Sequence, residues 1–66
     1  MNALELQHEV DRLLLHIRGL VAVSDLLERR GASEREVRAH REEIDRLRDR
    51  LAHLISDNRD ALGAAA

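Results

Sequence analysis

Apolar side chains recur along the first half of the chain at Leu6, Val10, Leu13, Ile17 and Leu20, then Ser24 and Leu27, at alternating steps of four and three. Val37, His40, Ile44, Leu47, Leu51, Leu54 and Asn58 repeat the pattern at steps of three and four. A seam of this spacing lies along one side of a helix, so the pattern predicts two seamed helices, over about 3–30 and 34–60. Between them lies "ERRGASEREV". Gly31 can take the left-handed conformation that ends a helix, and Ser33 with Glu36 forms an S-x-x-E box that starts the next. Arg29 and Arg30 in the last turn of the first helix, and Glu34 and Glu36 in the first turn of the second, complement the helix dipoles.

A connection this short makes the helices antiparallel neighbours. Facing residue numbers then sum to roughly 64, setting Leu27 near Val37, Leu20 near Ile44, Leu13 near Leu51 and Val10 near Leu54. One layer is polar, Ser24 with His40, and the expectation there is a core histidine satisfied by a neighbour. Asn58 reads as a register device or an exposed end residue.

The outside of the second helix carries charge pairs such as Glu34 with Arg38, Glu42 with Arg46 and Asp45 with Arg48, the signature of a solvated face. The first helix differs. Beside its seam it adds Leu14 and Val21 on one flank, and Leu4, Leu15, Ala22, Val23 and Leu26 on nearly the opposite side at about 100° per residue. A lone hairpin covers one face only. The expected architecture is therefore all-α: a helical hairpin over 1–62 that pairs with a second copy into a homodimeric four-helix bundle. The bundle core is expected to comprise Val10, Leu13, Leu14, Ile17, Leu20, Val21, Leu27, Val37, His40, Ile44, Leu47, Leu51 and Leu54. The stripe of Leu4, Leu15, Gly19, Ala22 and Leu26 is left as a docking surface for a protein partner, with "GAAA" at 63–66 as a flexible tail.

Composition supports this class. The chain has 66 residues, no cysteine, no proline and no aromatic residue, which excludes disulfides and cysteine-based zinc sites and leaves association as the means of stabilising so small a core. Its charge is −2, from eleven basic residues, all arginine, against thirteen acidic ones. No strong field favours nucleic acid or an anionic membrane. Glu5 and Glu9 stand where a secretory signal would be basic, and no apolar run can span a bilayer, so the expected location is the cytoplasm.

The stretch "LQHEVDRLLLHIRGL" carries the main chemical candidate. From His8 it reads H-E-V-x-x-x-L-x-x-I-x-G-L, through Glu9, Val10, Leu14, Ile17, Gly19 and Leu20. It resembles the phosphoacceptor helix of the dimerisation and histidine-phosphotransfer domain of two-component sensor kinases. "EIDRLRDRLAHLISDN", with Ile44, Arg50, Leu51, Leu54, Ile55 and Asp57, is similar to that family's second helix. The resemblance implies a dimeric four-helix bundle, phosphorylation at His8 with Glu9 as base, and a receiver or kinase-type signalling protein as partner. Two positions depart from the pattern: Arg12 stands where the family usually has Thr or Asn, and Leu13 where it often has Pro. "REEIDRLRDRLAHLI" also looks like the opening of the first helix of chorismate mutases, whose remaining helices have no counterpart in this sequence.

Other chemistries are less favoured. Glu5 with His8, and Asp49 with His53, have helical metal-ligand spacing, but a bundle site needs inward-facing ligands and only His40 lies on a seam, so no metal and no cofactor is expected. RNA binding needs a positive face or stacking aromatics, whereas Arg35, Arg38, Arg41, Arg46, Arg48 and Arg50 are interleaved with acids. The expected function is a non-enzymatic oligomerisation and regulatory interaction module, with phosphotransfer through His8 and RNA binding as alternatives.

Overall fold

The computed structural model describes residues 1–60, and the tail expected over 63–66 lies outside them. Two helices make up the fold, α1 over Ala3–Arg29 and α2 over Glu34–Asp57, packed side by side as a hairpin. The all-α reading therefore stands.

Each helix end has an identifiable chemical cause. Asn2 caps α1: its Oδ1 accepts from the Glu5 backbone N–H at 2.8 Å, while its Nδ2 donates to the Glu5 carboxylate at 3.2 Å. Sequence reading placed the start of this helix without naming its cap. At the other end Gly31 has φ +77°, the Gly31 N–H donates to the Glu28 carbonyl at 3.1 Å, and the Ala32 N–H reaches back to Leu27 at 2.9 Å. This pair of bonds is a Schellman turn, which only a residue tolerant of positive φ closes cheaply. Ser33 then caps α2 as its S-x-x-E spacing predicts, its Oγ accepting from the Glu36 N–H at 3.2 Å.

The ends expected at about 30 and 60 hold: α1 closes at Arg29, and α2 runs to Asp57, with helical backbone again at Arg59 and Asp60 after one turn residue. Arg30 is the cap residue of α1. Asn58 is half-buried and caps α2, its N–H donating to Ile55 and its side-chain amide to the Leu54 carbonyl at 3.0 Å. It caps the Glu34–Asp57 segment instead of packing as a further seam residue.

The core is a single line. Leu6, Leu13, Ile17, Val37 and Ile44 are buried, with Ser24 among them. The remaining seam residues Val10, Leu20, Leu27, His40, Leu47, Leu51 and Leu54 are only half-buried. Two helices side by side hide the residues directly on their contact line and leave the next rows open on both edges. The Ser24 and His40 layer is accordingly not a hydrogen-bonded pair. The His40 ring turns to its own helix, with Nδ1 3.3 Å from the Glu36 carbonyl, and the buried Ser24 hydroxyl has no partner.

Candidate interaction surface

Two ion pairs tie the helices together, Glu9 with Arg50 and Glu28 with Arg41, close to the antiparallel register expected from the seams. They close the two edges of the hairpin differently. On one edge Glu9 sits between Arg50 at 3.2 Å and Arg12 at 3.9 Å, above a shallow groove floored by Leu13 and Leu47. That edge is rimmed with charge.

On the opposite edge Val21 lines a groove with Ser24 and Ile44, rimmed by Asp25, Glu28, Arg41, Asp45 and Arg48 and crossed by the Glu28 and Arg41 pair. Leu14 lies seven residues before Val21, on the same side of α1, and Ile55 lies seven after Arg48 on α2. Leu14, Val21 and Ile55 are all exposed. Leu14 and Val21 are the flank that the sequence assigned to the bundle core. Ile55 went unassigned there, because it falls one step off the α2 seam, and its spacing from Arg41 and Arg48 was the available signal.

The outer face of α1 carries the stripe that the sequence leaves for a partner. Leu4 is 62% exposed and Leu15 71%, and Gly19, Ala22 and Leu26 are exposed with them. A Cβ built on Gly19 meets nothing within 4 Å. On α2, Ile55 is the one large hydrophobic residue exposed among the described residues, whereas α1 has six: Leu4, Leu14, Leu15, Val21, Val23 and Leu26. None of the three charge pairs named for α2 from the sequence forms among the described residues. Arg46 joins Glu43, one turn back at i,i+3, and not Glu42, while Arg41 and Arg50 reach across to α1.

The histidines divide by position. His8 is exposed on the outer face of α1, but Glu9 is drawn toward α2 by Arg50, and no hydrogen bond joins the two among the described residues. Adjacent helical positions point about 100° apart, so the carboxylate expected to serve as base lies on the inter-helix edge. His16 is exposed, and the His53 Nδ1 lies 2.8 Å from the Asp49 carbonyl, so the Asp49 and His53 spacing is taken up by a local backbone contact. Among the described residues no group of three or more His, Cys, Asp or Glu side chains is placed to hold a metal ion, and no helix is long and apolar enough to cross a membrane. No family model matches the chain, and no curated protein or solved structure is significantly similar to it.

Proposed function

We propose that this chain is a non-enzymatic oligomerisation and protein-interaction module, a helical hairpin that completes its core by pairing with a second copy along the Leu14, Val21 and Ile55 edge. The observation that carries this reading is the asymmetry between the helices: among the described residues α1 leaves six large hydrophobic side chains exposed and α2 leaves one. Apolar area left in water on so small a fold is stabilising only when a partner covers it. Pairing along this edge covers the half-buried Val10, which lies on the same side of α1 as Leu14 and Val21, and leaves the outer face of α1 for a further helix.

The test is Leu14→Asp combined with Val21→Asp. Leu14 is 38% and Val21 36% exposed, so the aspartates fall at the rim of the hairpin's own core, and Leu14→Ala with Val21→Ala is the control for the packing lost there. At tens of micromolar the variant should sediment as a monomer and lose most of its helicity, because a single hairpin has too small a core. A variant that keeps the helicity and the mass of the unaltered chain would overturn the edge as the interface.

A further inference from the structure

Leu4, Leu15 and Leu26 stand eleven residues apart, as do His8 with Gly19 and Asp11 with Ala22. An eleven-residue repeat runs almost straight along a helix, so these seven side chains form one row down the outer face of α1. All seven are exposed. Their spacing, steps of four, three, four, four, three and four, reads the same in both directions about Leu15. The side chains themselves do not. Large and polar residues, His8 and Asp11, precede Leu15, and small ones, Gly19 and Ala22, follow it.

A helix that fits this row must be slender beside His8 and Asp11 and bulky beside Gly19 and Ala22. It must also present positive charge to Asp11. The same row of a second copy, turned end for end, meets each requirement. We infer that the outer face of α1 pairs antiparallel with that of another copy about a two-fold axis at Leu15.

Facing residue numbers then sum to about 30, setting Leu15 on Leu15 and Leu4 against Leu26, with Ala22 of the other copy on the Asp11 flank and its Gly19 on the His8 flank. Arg18 lies seven residues after Asp11 on the same side of the row, so Asp11 of each copy comes beside Arg18 of the other and the pair forms twice. Neither residue belongs to an ion pair among the described residues of the hairpin. The pairing also gives Gly19 a purpose. Nothing in the hairpin requires a glycine there, whereas a histidine approaching from another helix is accommodated by one. Parallel pairing would set Asp11 on Asp11 and leave a void between two Gly19 positions. Shifting the antiparallel register by seven residues sets Leu15 on Ala22 or His8 and breaks the Leu4 to Leu26 contact.

This inference rests on the reading that the outer face docks a helix, and it uses a different surface from the Leu14 edge, so the two fail separately. The chain has no cysteine, so single cysteines report the register. In a mild thiol–disulfide buffer Leu15→Cys should cross-link to itself roughly tenfold faster or more than the control Ala39→Cys on the outside of α2, since pairing raises the local thiol concentration into the millimolar range. Leu4→Cys and Leu26→Cys should each remain at the control rate alone and form the mixed disulfide when combined. In parallel, Leu15→Arg should halve the solution mass with helicity retained, which separates loss of this face from the unfolding expected of the Leu14 and Val21 variant. Self-cross-linking of Leu4→Cys, or Leu15→Cys at the control rate, would overturn the pairing.

Discussion

Ser24→Ala should make the protein more stable. Ser24 is 7% exposed at a seam position of α1, and its hydroxyl has no hydrogen-bond partner. A serine inside a helix commonly bonds the carbonyl one turn back, and this one does not. Leaving a buried hydroxyl unpaired costs about 1–3 kcal/mol relative to its hydrated state in the unfolded chain. Alanine removes that atom and adds up to about 0.5 kcal/mol of helix propensity, against a few tenths lost in dispersion contacts. The net expectation is roughly 1–2 kcal/mol of stabilisation per chain, and in a domain this small each kcal/mol moves Tm by about 4–8 °C. Thermal and urea unfolding followed by helical circular dichroism would read it, with both proteins at one concentration because association adds to apparent stability. A Ser24→Ala variant that is equally or less stable would refute the reasoning and show that the hydroxyl is bonded in the assembled protein.

Other substitutions test the turn and the histidine. Gly31→Ala forces an L side chain to φ +77° and should cost about 1–2 kcal/mol, read as a lower unfolding midpoint with helicity kept; an unchanged midpoint would mean that the turn is not closed as described. Incubation with acetyl phosphate or a phosphorylated receiver domain should give no acid-labile adduct on His8, because Glu9 is held by Arg50 and Arg12 and Arg12 and Leu13 depart from the phosphoacceptor pattern. An adduct that His8→Gln abolishes and His16→Gln retains would favour phosphotransfer.

The elements were legible because their signals are local. Seam spacing, Gly31 and the Ser33 with Glu36 box each act within a turn or two of helix, and each appears where the sequence places it. Asn2 escaped notice as a cap because its box partner, Glu5, precedes the first seam residue, Leu6. The depth of burial was less legible than the seams. His40 and six apolar seam residues occupy seam positions yet stay half-exposed, since burial depends on how many neighbours a row has and not on its periodicity. The named ion pairs of α2 were missed for a similar reason: Arg46 can reach several acids and takes Glu43, and Arg41 and Arg50 find theirs on the other helix. The exposed apolar side chains of α1 were legible as well, since each lies off the seam at a position that periodicity alone identifies.

The central claim is that this hairpin does not stand alone, and sedimentation equilibrium of the unaltered chain at tens of micromolar tests it most directly. A chain of 7.5 kDa whose edge pairs with a second copy should sediment with the mass of two chains, or of four where the outer faces also pair, and should lose helicity on dilution as the copies separate. A fully helical species with the mass of one chain, unchanged on dilution, would contradict it.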